Sequence, residues 1–297
     1  MIGLALEKEL LKRGHEIVAV ARRESDELKA LAQQGCVQTI LCEMCDYNSL
    51  SSLVAEPVDV AVLLAWNGTR GQARNDVELH RQNTECNLSL LPELFKLKCK
   101  KVITAGSQAE YGPHSERITE NSECRPNTEY GKAKLAFYKK AEKLCTEHDV
   151  ICIEPRFFSL YGPNDYKDTL ISSTLRKMLA EEECLLTQGV QMWDYLYIDD
   201  ACDALATLCE KKDVPCGVYN FGSGDVRTLK DYILEMKEIT GGNGNLSFGA
   251  IPYPSTGMVS LHPDVSKLKE AINWTPKVTF GEGIKSILDS MNKDRII

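Results

Sequence analysis

From residue 16 to residue 156 the chain alternates short apolar runs of strand length with segments of helical periodicity, and few folds accept that alternation. The runs are EIVAVA (16–21), VQTILC (37–42), VDVAVLLA (58–65), KKVITAG (100–106) and VICIEPR (150–156). Helical patterns lie between them, near 26–34, 48–55 and 75–97 and from Tyr130 to residue 147; another, GLALEKELLKRG, precedes the first run and stops at Gly14. Parallel strands need a crossover connection and a helix supplies one, so strands that alternate with helices predict a parallel sheet covered on both faces. The expected fold class is α/β, a doubly wound sheet whose ligands bind beyond the carboxyl ends of the strands.

After Pro163 the regularity breaks down. Helices are expected near 167–181, 199–211, 228–240 and 281–292, among short β-runs (ECLLTQ, VYNFG, LSFGAIPY) and Gly/Pro punctuation. This pattern predicts a larger sheet domain over residues 1–165, to which residues 190–222 return, and a smaller mixed domain built from residues 166–189 and 223–297.

Composition narrows the function classes. With 43% hydrophobic and 26% charged residues, the 297-residue chain has the make-up of an ordinary globular enzyme. A net charge of −8 gives no broad electrostatic reason to bind nucleic acid or an anionic membrane, so an anionic ligand needs local positive groups. No apolar run approaches the roughly 18 residues of a membrane span, and the expected location is the cytoplasm. Twelve scattered cysteines suit reduced thiols better than a disulfide framework. Cys42 and Cys45 form the one C-x-x-C, with no second pair or histidine cluster to complete a metal site, so no metal is expected.

The stretch that carries chemistry runs from Thr104 to Lys134, TAGSQAEYG to PNTEYGKAK. Tyr130 and Lys134 stand four residues apart and so share one face of a helix, while Ser107 ends an apolar strand. A nearby ammonium favours phenolate, so Lys134 is expected to lower the pKa of Tyr130, and Ser107 to hold a substrate oxygen while Tyr130 moves its proton. By itself Y-x-x-x-K on a helix is commonplace.

Its surroundings are not. LLA (63–65), Asn83, GSQAEYG (106–112), the P-x-x-x-Y-G-K-A-K word (126–134), PRFFSLYGPND (155–165), WDYLYIDDACDA (193–204), YNFGSG (219–224) and DVSKLKEAINWTP (264–276) occur in family order over nearly the full length. On these words the chain resembles the extended short-chain dehydrogenases/reductases of the nucleotide-sugar epimerase/dehydratase group. The resemblance implies a Rossmann-like dinucleotide domain, a substrate domain, NADP or NAD as cofactor, a nucleotide-sugar substrate and a homodimer formed through the long helix and the Tyr130 helix. It makes Ser107, Tyr130 and Lys134 catalytic. Met1, Ile2 and Gly3 match the last three positions of the family's G-x-x-G-x-x-G turn, so Gly3 is its third glycine and the first strand is absent. We therefore expect Met1 to be an internal methionine, preceded in the natural polypeptide by about ten residues, a strand plus the turn.

Further cofactor positions follow from the same resemblance. Arg22 and Arg23, after the second expected family strand, tilt the expectation toward the 2′-phosphate of NADP. Glu43 and Met44 fall near the adenine, Ala65 where the chain passes the cofactor ribose, Asn83 at the family's cofactor-side asparagine, and Phe157 beside the nicotinamide. On the substrate side, dehydratases carry an acidic pair where this chain has Gln108 and Ala109, so water elimination lacks its proton donor. Reduction of a 4-keto sugar or 4-epimerisation remains, closest in wording to CDP-abequose or paratose synthases. Gln108, Ser159, Trp193, Tyr195 and Arg227 are the expected substrate residues. The arginines that many relatives place at Trp193 and near Tyr253 and Pro254 are missing, with Arg227 as the candidate replacement cation. The competing expectation is a non-catalytic dinucleotide-binding member of the family.

Overall fold

The computed structural model describes residues 1–242, 244–253 and 258–293. α1 (Ile2–Lys12) turns through Gly14, at φ +85°, into β1 (Ile17–Ala21), followed by α2 (Asp26–Ala32) and β2 (Val37–Leu41). A 3-10 segment over Met44–Ser52 replaces the helix expected near 48–55. Then come β3 (Val60–Leu63), a 3-10 turn over Gly71–Asn75 and α3 (Val77–Lys96). β4 (Lys101–Thr104) and β5 (Gly106–Ser107) are interrupted at Ala105. A 3-10 turn over Gln108–Glu110, α4 (Glu129–Glu147), β6 (Ile151–Phe157) and β7 (Ser159–Tyr161) complete the first half.

The second half runs α5 (Leu170–Leu179), β8 (Cys184–Leu186), β9 (Met192–Trp193), β10 (Tyr195–Tyr197), α6 (Ile198–Glu210) and β11 (Gly217–Phe221). It ends with β12 (Arg227–Thr228), α7 (Leu229–Ile239), β13 (Leu246–Phe248), α8 (Ser266–Ile272) and α9 (Phe280–Lys293). α8 is not among the expected helices, being only seven residues long and closed by a left-handed Asn273.

The sheet is parallel, in the order β11, β6, β4, β3, with β5 carrying the β4 line along β6. β1 and β2 form a separate parallel pair, and among the described residues neither β1 nor β3 bonds another strand on its second edge. Helices cover both faces because neighbouring strand residues point to opposite sides. Val102 and Cys152 join a core with Leu91 and Leu94 of α3 and Phe137 and Ala141 of α4, whereas Ile103 and Ile153 join one with Ala201, Leu205 and Leu208 of α6. Side chains cap the helices where chemistry predicts: Ser25, Asp76, Thr128 and Thr169 each accept a first-turn N–H of α2, α3, α4 and α5. Beyond the main sheet, three small ladders pair β7 with β10, β9 with β12, and β8 with β13.

Under the β4–β5 break lies a buried charge cluster. The Nε of Arg156 donates to Glu154 at 2.9 Å and to Glu110 at 3.1 Å, and the three residues are 3%, 1% and 0% exposed. Residues 154 and 156 sit two apart on β6 and so share a face, next to Gly106, where an added Cβ would lie 2.7 Å from Glu154 Cγ. Only glycine fits there. Burial pushes the carboxyl of Glu154 well above the usual glutamate range and that of Glu110 above it, with Arg156 opposing both. One guanidinium facing two buried carboxylates leaves one of them best kept protonated.

Carboxyls raised on folding confer stability that is full below the ordinary glutamate range and is lost as pH rises through their native values. Glu154→Gln, a neutral isostere, is therefore expected to cost under about 1 kcal/mol, whereas Arg156→Met, which strands both carboxyls, costs about 3–5 kcal/mol. Urea unfolding should show the Arg156→Met deficit growing as pH rises above the ordinary glutamate range. A deficit flat in pH, or equal costs for the two variants, would contradict this arrangement.

Candidate active site

β4 leaves its ladder after Thr104, and this departure builds the site. The Ala105 N–H still donates to Leu63 O at 3.0 Å, but its carbonyl accepts the Lys134 ammonium at 2.8 Å. Ser107 then caps the following turn: its Oγ accepts the Ala109 N–H at 3.2 Å, and its own N–H donates to Glu110 Oε1 at 2.7 Å. α4 is pressed onto this turn at Gly131, where an added Cβ would stand 2.3 Å from the Ala109 carbonyl. The contact brings Tyr130 and Lys134, 8% and 4% exposed, to the carboxyl end of the sheet beside Ser107.

An aromatic wall closes the site. Lys134 Nζ lies 3.9 Å from the Trp66 ring centroid, Trp66 Nε1 donates to His80 Nδ1 at 3.1 Å, and the His80 and Tyr130 rings are 5.7 Å apart. Burial pushes Lys134 down to about 8, with Glu110 and Glu154 pulling the other way. Burial pushes Tyr130 up; the Ser107 hydroxyl and then the Arg74 guanidinium hold it down, while Glu110 and Glu154 add to the rise. Lys134 is committed to the Ala105 carbonyl and the Trp66 face, and the cation over the phenol is Arg74, 4.6 Å from its ring centroid.

The expected cofactor positions lie mostly at the carboxyl ends of the strands. Arg22 and Arg23 follow β1, exposed and without an ion pair among the described residues. Exposed Glu43 and buried Met44 follow β2, and Ala65 follows β3. Asn83 is 2% exposed and holds the turn after Ala65, accepting from Asn67 N at 3.0 Å and donating to Asn67 O at 2.9 Å. Phe157 instead belongs to the core, its ring 5.1 Å from Phe221. Gly3 lies in the first turn of α1, which has no side-chain cap; an added Cβ there would meet only Leu64 Cδ1, at 3.9 Å.

Four of the expected substrate residues gather on two short ladders. Ser159 is the register partner of Tyr195 and Arg227 that of Trp193, and the rings of Trp193 and Tyr195 are 6.3 Å apart. Gln108 stands half-buried after Ser107. Arg227 is not a free cation, since it pairs with Glu235 at 2.6 Å and Asp225 at 3.0 Å and lies over Tyr232. Its Nε, however, and Trp193 Nε1 are buried without a hydrogen-bond partner among the described residues. Tyr195 packs among Tyr161, Tyr232 and Phe280. Tyr253 bonds Gln191 at 2.8 Å, and Pro254 lies outside the described residues.

Arg74, Trp66, His80 and the acid pair Glu110 and Glu154 are absent from the sequence expectations. Glu110 could have been flagged as a carboxylate three residues after a serine able to cap. Asp194, in WDYLYIDD, is fully buried and accepts the N–H groups of Ser223 and Gly224, each at 2.7 Å, fixing the GSG turn before Arg227. Among the described residues no group of three potential ligands could hold a metal, the cysteines are free thiols, and no helix is long and apolar enough to cross a membrane.

Known proteins resemble this chain along its length. It is 26% identical to a UDP-N-acetyl-alpha-D-glucosaminuronate decarboxylase of Bacillus cytotoxicus, over 97% of this chain and 93% of that protein. It is 22% identical to a CDP-abequose synthase of Salmonella muenchen, over 97% and 93%. In fold it matches the UDP-glucose 4-epimerase of Thermotoga maritima, solved with UDP-glucose, at a TM-score of 0.87 and 23% identity over 99% and 96%. Residues 1–222 match the profile of the NAD dependent epimerase/dehydratase family, and with that match spanning the sheet, Ser107, Tyr130 and Lys134, the chain belongs to this enzyme family.

Proposed function

We propose that the chain is an NAD(P)-dependent oxidoreductase or epimerase acting at C4 of a nucleotide sugar. The observation that carries the reading is the convergence of half-buried Ser107 with buried Tyr130 and Lys134 where β4 breaks. A bound nicotinamide dinucleotide supplies the acceptor or donor of two electrons at one carbon. Tyr130 takes the proton of the C4 hydroxyl during oxidation and returns it on reduction. Ser107 orients the C4 oxygen from beside Tyr130, its Oγ being fixed by the Ala109 N–H that it accepts. Lys134 keeps two N–H donors beyond the one on Ala105 O, and these hold the dinucleotide ribose.

Arg22 and Arg23 supply positive charge for the dinucleotide, and Trp193 Nε1 with Arg227 Nε offer two unpartnered donors to acceptor atoms of the nucleotide sugar. Gln108 and Ala109 carry no titratable proton, which favours epimerisation or ketone reduction over loss of water. The test is turnover of UDP-, CDP-, GDP- and dTDP-hexoses and their 4-keto forms with NADPH or NADH. Tyr130→Phe should lower kcat about 10²- to 10⁴-fold with dinucleotide binding retained; substantial turnover by this variant would contradict the reading. Replacing both Arg22 and Arg23 by alanine should raise KM for NADPH and leave that for NADH unchanged. An unchanged KM for NADPH would remove the preference assigned to them.

A further inference from the structure

Arg74 belongs to none of the sequence words, yet the chain goes to some length to place it. Gly68, at φ +71°, folds residues 68–73 back against the start of α3, and an added Cβ there would lie 2.5 Å from Leu79 Cδ2 and 3.1 Å from Ala73 O. Arg74 Nη1 donates to Thr69 O at 3.1 Å, and Asn75 Oδ1 accepts the Glu129 N–H at 3.4 Å, tying the turn to the residue before Tyr130. The half-buried guanidinium then lies over the phenol, with no carboxylate partner among the described residues.

Each element packed against Tyr130 brings a polar or titratable group to it. β5 brings the Ser107 hydroxyl, α3 the His80 ring, α4 itself Lys134, the 108–110 turn Glu110, and β6 Glu154. Burial pushes His80 down, so it is neutral, and the two acids oppose ionisation of the phenol. Lys134 spends a proton on the Ala105 carbonyl and faces Trp66. Among the described residues that leaves one cation, Arg74, lying over the ring. We propose that Arg74 poises the Tyr130 phenol for proton transfer, acting as a positioning residue from the 71–75 turn. Phenolate charge spreads into the ring, so a planar guanidinium stacked on its face meets more negative charge after ionisation than before.

The functional meaning of this rests on Tyr130 as the proton carrier, but the pairing can be tested without turnover. In the full-length protein labelled with carbon-13 at tyrosine Cζ, the Tyr130 resonance is identified by its loss in Tyr130→Phe. Arg74→Gln should raise the Tyr130 titration by about one pH unit, and Arg74→Lys by less, because an ammonium keeps the charge without the planar stack. In turnover the limb of kcat that requires phenolate should move up with it, with KM changed less than about twofold. A Tyr130 titration unmoved in Arg74→Gln overturns the proposal, as does an unmoved kcat limb with KM raised tenfold or more, which would make Arg74 a grip for the substrate's anionic group. A shifted titration in a protein without turnover supports the pairing and counts only against the C4 reading.

Discussion

The carbonyl of Ala105 faces α4 in place of a neighbouring strand, and the ammonium of Lys134 that it accepts at 2.8 Å ties the end of the sheet to the helix carrying Tyr130. Several local choices follow from that tie. The strand must break after Thr104 and resume on β6, Gly106 must lack a side chain where the chain passes Glu154, and Gly131 must let α4 approach the Ala109 carbonyl. The ammonium is almost out of water, so its charged form is disfavoured, and it is held by a carbonyl, an indole face and the field of two acids. Loss of any one of these would change where Lys134 sits as well as its charge.

Burial acts in opposite directions on the two partners of α4. It raises the phenol of Tyr130 and lowers the ammonium of Lys134, so each neutral form is favoured by the same dry surroundings. Charges placed outside that pair correct the imbalance. Beneath the break, Glu110, bonded to Arg156, holds the Ser107 turn, and Glu110 with Glu154 pulls Lys134 back toward its charged form. Over the phenol, the hydroxyl of Ser107 and the guanidinium of Arg74 favour ionisation. The acid/base pair is therefore a product of three segments far apart in the chain, and helix spacing alone describes only one of them.

That division explains what could be read from residue order. Strand-length apolar runs and helical periods are local signals, and they located β1 to β4, β6 and the helices around them to within a few residues. Y-x-x-x-K fixes two side chains on one helix face whatever the rest does. The helix expected near 48–55 is a 3-10 segment over 44–52, because the apolar spacing there also fits a tighter turn. Arg74 was invisible for another reason: it lies 56 residues before Tyr130 in a glycine-rich turn, and only the packing of that turn on α4 brings the two together. Arg227 looked free because its partners, at positions 225 and 235, are joined to it by the fold of β12 and α7. Likewise the sheet's division into two parallel pieces is a matter of strand pairing, to which local patterning is blind.

At the centre stands one proposed claim, that a hydride leaves or reaches C4 of a nucleotide sugar while Tyr130 takes or returns the proton of the oxygen on that carbon. The most direct measurement is the isotope effect on turnover of nucleotide sugars deuterated singly at C3, C4 or C5. The account predicts that deuterium at C4 of a 4-hydroxy sugar, or at the transferred position of the reduced dinucleotide where the sugar is a 4-ketone and C4 carries no hydrogen, slows the reaction while deuterium at C3 or C5 does not. An effect at C3 or C5 with none at C4 or at that dinucleotide position would contradict it.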